Sequence, residues 1–276
     1  MDQSLEFPAH CPHFADGVLW LSRLMPLIQD VSSSGRMNTI CNAARAAEKK
    51  LAEKLMAEEQ NPVQQICLDG SLAARQSSEQ TITDNLIDDL SRIAGDRFRV
   101  IPTTSHAEAR RFGADWMWAV KTRFGVYGGL VQAKRGYPPI GSSDARTIEV
   151  TDRPNDHTGI GQLTTLRQTS EQLAIASSYA VYCLQESYVP KCKAATGPHS
   201  IHFVTADTLS EGDISLPIAS DHSVTLSELL CCAGSKQGAT LGNVPVLTRR
   251  IGSIEDLVQA ARQTNQVRKI LRVDLT

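Results

Sequence analysis

Apolar positions along the chain recur with two different periods, and each period predicts a different kind of element. Ile82, Leu86, Leu90 and Ile93 return every three or four residues, which predicts a helix beginning near Ser77–Glu79. Ser77 followed by Gln80 fits a capping box at its start, and Gly95-Asp96 ends it. Residues 36–60 are rich in Ala, Glu, Lys and Leu, with Ile40, Ala44, Leu51, Leu55 and Met56 as an apolar stripe, and stop before Asn61-Pro62. The SSSG at 32–35 reads as a loop, 14–30 as a helix kinked at Pro26, and 162–177 as another amphipathic helix. Alternation with period two marks RFRVIP (97–102), DWMWAV (115–120), GVYGGLVQAK (125–134) and SYAVYCLQ (178–185) as strands. Gly128-Gly129 predicts a bulge or a close backbone approach.

Helix, three strands, helix, strand is the order of an α/β sheet layered with helices. The turn-rich stretch 136–161 is long enough to suggest a functional loop. Beyond it the pattern predicts a strand at 199–205, a short helix near 226–232 and a final helix near 254–263. The expected organisation is an N-terminal helical extension (1–70), a core (71–190) and a C-terminal α/β extension packed on it (191–276).

Composition narrows the class. With 41% hydrophobic residues, the 276-residue chain can bury a sizeable core. No apolar run approaches the roughly 18 residues of a membrane span. The start, MDQSLEFPAHCPHF, lacks the basic and apolar segments of a secretory signal, so a cytoplasmic location is expected. Seven irregularly spaced cysteines argue against a disulfide framework. Cys231 and Cys232 read as small buried hydrophobes. His10-Cys11-Pro12-His13 lacks zinc-ligand spacing, and no phosphate-cradling GxxxxGK[ST] motif is present. The net charge is only −2, but Ser91–Arg135 holds nine basic residues against three acidic ones, a local balance suited to a phosphate partner.

The chemistry concentrates on two strands. In DWMWAV, Asp115 shares a face with Met117. In LVQAK, Gln132 and Lys134 share a face. If the strands pair antiparallel, Asp115 meets Gln132 and Lys134, and Glu79 can approach from its helix. Two carboxylates and an amide oxygen suit Mg²⁺ or Mn²⁺, which keep several waters and take few carboxylates. Such an ion can orient a phosphodiester and acidify a water, while Lys134 stabilises charge developing on phosphorus. Arg135 and Tyr137 are candidate phosphate or substrate contacts, and Glu108 a second acidic contributor.

Asp115 followed by Gln132-Ala133-Lys134 resembles the D…QxK variant of the PD-(D/E)xK phosphodiesterase motif, and QAKR is similar to the catalytic strand of Mrr-type restriction endonucleases. EQTITDNLIDDL, GADWMW, GLVQAKRGYP, QLTTLRQTSEQ and YAVYCL together resemble the bacterial family DUF6615, itself similar to restriction endonucleases. The likeness spans roughly Glu79 to Leu184. It implies a restriction endonuclease-like core and a metal-dependent nuclease. Asp115 would be the metal-binding aspartate, Gln132 would stand where a carboxylate is usual, Lys134 would be the catalytic lysine and Glu79 the accessory carboxylate. DNA is the expected substrate and defence against foreign DNA the expected role, with a homodimer or a protein partner in a defence system as further expectations. Two other readings stay open: an inactive nuclease-like binding module, and a toxin-like effector nuclease awaiting a partner.

Overall fold

The computed structural model describes residues 31–60, 63–66, 72–75, 77–103, 113–122, 124–137, 147–148, 160–185, 188–190, 197–209, 223–232, 239–241, 244–250 and 252–276. The predicted helix over 14–30, the His10–His13 run, Glu108 and most of the 136–161 stretch lie outside them. The chain is α/β, a mixed sheet flanked by helices and consistent with a restriction endonuclease-like core. Its main path runs β3 (Phe98–Pro102), β12 (Lys269–Asp274), β4 (Trp116–Thr122), β5 (Gly125–Tyr137), β7 (Ala176–Tyr182), β8 (Ile201–Thr205) and β9 (Ser223–Thr225). A separate hairpin pairs β1 (Val63–Ile66) with β2 (Leu72–Arg75), β6 (Thr147–Ile148) pairs the end of β5, and β10 (Ala239–Leu241) pairs β11 (Val244–Arg250).

Helices cover both faces. One face carries α1 (Val31–Gln60), α2 (Glu79–Ala94) and α4 (Leu226–Cys232), packed over Trp116, Trp118, Val131 and Phe203. The other carries α3 (Gln162–Leu173) and α5 (Ile254–Thr264), packed over Met117, Ala119, Leu130 and Tyr179. The opposite facing of Trp116 and Met117 is the period-two alternation expected of β4.

Several details differ from expectation. SSSG lies within α1, and on that helix Met56 is 45% exposed while Leu55 is buried, because the inward stripe runs through Ile40, Ala43, Ala44, Ala47, Leu51 and Leu55. The cap of α2 is Ser78, which accepts from the Thr81 N–H at 3.1 Å; the Ser77 hydroxyl instead donates to Glu58 Oε1 at 2.6 Å. The Gly128-Gly129 pair causes no bulge, since β4 and β5 stay in continuous register from Trp116↔Val131 to Thr122↔Gly125. It marks close approach: a Cβ on Gly129 would lie 2.2 Å from the Val246 carbonyl oxygen. Strands from beyond residue 190 belong to the central sheet itself, and β12 sits between β3 and β4.

Candidate functional site

β4 and β5 pair antiparallel, and the register Trp116↔Val131 carries on to set Asp115 beside Gln132. The Asp115 N–H still donates to the Val131 carbonyl, at 2.8 Å. There the regular strand ends. The Asp115 side chain turns back over β5, where Oδ2 accepts from the Ala133 N–H at 2.7 Å and from the Gln132 side-chain amide at 2.6 Å. A carboxylate thus takes a ladder position that a backbone carbonyl would otherwise fill.

Lys134 lies one pleat further along β5 on the same face. Its ammonium reaches Gln162 Oε1, 3.4 Å away in the first turn of α3. Gly113 makes that approach possible. A Cβ there would fall 2.7 Å from Thr165 Cγ2 and 2.9 Å from the Leu166 nitrogen, so a larger residue would lift the start of α3 off the sheet.

Glu79 comes from the opposite helical layer, at the first residue of α2. Its Oε1 accepts from the Arg135 N–H at 2.9 Å, the peptide group directly after Lys134. Ser78 capping and the helix dipole both favour a carboxylate at this end. Asp115, Gln132, Lys134 and Glu79 therefore gather at one end of β5, as expected from strand alternation and helix phase. Arg135 does not face outward as a phosphate contact would. Its guanidinium is buried against α1, donating to Glu58 Oε2 at 2.8 Å and to the Ser77 carbonyl at 3.3 Å. The alternation that turns Lys134 to one face turns Arg135 to the other. Tyr137 ends β5, its backbone paired with Thr147, and its side chain lies outside the described residues.

Electrostatics distinguish the site from an ordinary strand end. Burial holds the Asp115 carboxyl above its usual range. The Ala133 N–H opposes that shift, the Glu79 charge adds to it, and Arg268 and Lys134 oppose it. Among the described residues, Asp115 Oδ1 and Glu79 Oε2 accept no hydrogen bond, and no three His, Cys, Asp or Glu side chains form a metal cage. The donor set is two carboxylates and an amide, with two cations nearby. Hard oxygens, few carboxylates and mutual repulsion between the two carboxyls suit Mg²⁺ or Mn²⁺ better than zinc.

Glu58, Gln162 and Arg268 carry no local signal in the sequence. Each reaches this region from a distant part of the chain by tertiary packing.

No curated protein and no solved structure matches the chain. A family model described as a family of unknown function, DUF6615, matches residues 40–273. The match takes in α1 from residue 40 onward and the C-terminal strands as well as the Glu79–Leu184 stretch, and the chain belongs to this family.

Proposed function

We propose that the protein is a divalent-metal-dependent nuclease of the PD-(D/E)xK type that hydrolyses phosphodiester bonds in DNA, with a role in defence against foreign DNA. The observation that carries this reading is the convergence of Asp115, Gln132 and Lys134 on one face at the end of paired strands, with Glu79 joining from a helix N-terminus. Asp115, Glu79 and the Gln132 carbonyl would hold Mg²⁺ or Mn²⁺. When bound, the ion would polarise the phosphoryl group and make a water more acidic.

The chain's own residues supply the rest. Asp115 is fixed by two hydrogen bonds, so its orientation is preorganised. Gln132 supplies a donor without a third negative charge, and spares the site the repulsion a third carboxylate would add. The Lys134 ammonium, positioned through Gln162, stabilises the negative charge that grows on the phosphoryl oxygens. Water adds to phosphorus, one P–O ester bond breaks, and the proton passes to the leaving alkoxide. The products are a phosphomonoester and an alcohol.

The test is cleavage of duplex DNA, single-stranded DNA and RNA by purified protein with Mg²⁺, Mn²⁺ or EDTA, alongside Lys134→Ala. Metal-dependent cutting of DNA that disappears with EDTA and in the variant is expected. Full activity in both Lys134→Ala and Asp115→Ala overturns the proposal. Salt-sensitive binding without any cutting would instead identify an inactive binding module.

A further inference from the structure

The segment following α5 returns to the site along β4. Val267 forms a parallel bridge with Ala114, and Ile270 pairs with Met117. Both pairs have the same offset, so Arg268 falls opposite Asp115. Two backbone hydrogen bonds fasten the contact: Ala114 N–H to the Gln266 carbonyl and Arg268 N–H to the Ala114 carbonyl, each at 3.3 Å. The partner strand follows β4 through the bend where Asp115 leaves the ladder, so the two residues remain neighbours there.

Arg268 is half-buried, and among the described residues its side chain forms no ion pair or hydrogen bond. It acts on Asp115 through space without contacting it. A guanidinium held beside a carboxylate but not bonded to it keeps its five donors for another anion. Lys134 on β5 and Arg268, the residue before β12, then flank Asp115 from the two sides of β4.

We infer that Arg268 is the second phosphate-binding cation of the site, holding a non-bridging oxygen of the phosphodiester across from Lys134. This rests on the nuclease reading for its catalytic consequence, but phosphate contact alone is measurable without it. Planar, bidentate donation makes arginine suited to a phosphate where a lysine would act only as a point charge.

The experiment compares wild type, Arg268→Ala and Arg268→Lys for duplex DNA cleavage and for the salt dependence of DNA binding in EDTA, with thermal melting as a folding control. Expected are a roughly hundredfold or greater fall in turnover for Arg268→Ala with partial recovery in Arg268→Lys, and a slope of log affinity on log salt shallower by about one in Arg268→Ala. Cleavage within twofold of wild type together with an unchanged slope, in a folded variant, overturns the inference and leaves the nuclease reading intact. Absence of cleavage by wild type overturns the nuclease reading, while the binding slope still decides Arg268: shallower supports it, and unchanged slope or no binding by wild type overturns it. If Arg268→Ala does not fold, Arg268→Lys decides instead: reduced turnover supports the inference, and full turnover with the wild-type slope overturns it.

Discussion

Two regions of the molecule bring paired carboxylates together, and they are built in opposite ways. At the end of β5, Asp115 and Glu79 each keep one oxygen without a protein donor among the described residues, with cations close by. Behind β8 and β9, Glu48 and Glu228 are fully buried. Glu228 accepts from Tyr188 at 2.5 Å and from the Thr225 N–H at 2.9 Å, and Glu48 accepts from the Leu226 N–H at 3.0 Å. Tyr188 also packs edge-on against His199 and His202, with ring centroids 5.1 and 4.9 Å away. The first pair is half-open with spare acceptors, as binding requires. The second is buried and held by donors of the fold, and it ties α1 to α4. Carboxylate pairing alone does not identify a site; what the remaining lone pairs face does.

The sharpest way to break this contrast is at Lys134. Lys134→Ala or Asp115→Ala should cut phosphodiester cleavage by roughly a thousandfold or more, and the melting temperature should barely move in Lys134→Ala, whose ammonium makes only a 3.4 Å contact with Gln162. A large melting shift in Lys134→Ala with unchanged cleavage would make the strand end structural. The converse holds at Glu228. Glu228→Ala leaves the Thr225 N–H without its acceptor and the Tyr188 hydroxyl with only the longer 3.2 Å bond to the Ser223 carbonyl, and should cost about 2–4 kcal/mol of stability in denaturant unfolding. Cleavage per folded molecule should be unchanged.

A pH titration of melting probes the closed cluster next. Burial raises Glu48 to about 8, above its ordinary 4.5, with bonds from Ser227 and Leu226 opposing and Glu228 adding to the shift. Its contribution is complete below pH 4.5 and is lost as pH rises through 8. Burial lowers His202 to about 3 from 6.5, so its contribution is complete above 6.5 and is lost as pH falls through 3. Stability should therefore decline between pH 6.5 and 8, and Glu48→Gln should flatten that decline. A decline unchanged in Glu48→Gln would place the titrating group elsewhere. The smallest effect is expected from Gln132→Glu, which adds a negative donor and should lower the Mg²⁺ needed for half-maximal cleavage several-fold.

Much of this is legible in side-chain periodicity. Helix α2 announces itself through Ile82, Leu86 and Leu90, all of which are buried. Asp115, Gln132 and Lys134 can be joined on paper because strands β4 and β5 are consecutive and their alternation is strict. What escapes depends on contacts between distant segments. Ser77 has the residue type and spacing of a cap, but Glu58, nineteen residues earlier, claims its hydroxyl. Arg135 resembles a phosphate ligand because its charge is visible in the sequence and its burial against α1 is not. Arg268 reaches the site only because β12 inserts parallel to β4, and no local pattern encodes which strand a late segment will join.

That insertion has a consequence for how the chain acquires its shape. β3 and β4 are separated in the sheet by β12, which is synthesised about 150 residues after β4. Until β12 emerges, β4 presents an open, apolar edge, a template for pairing with other chains. Closing the sheet over so long a separation is intrinsically slow. The same event brings Arg268 to Asp115, so the site and the sheet would reach completion in a single late step of folding.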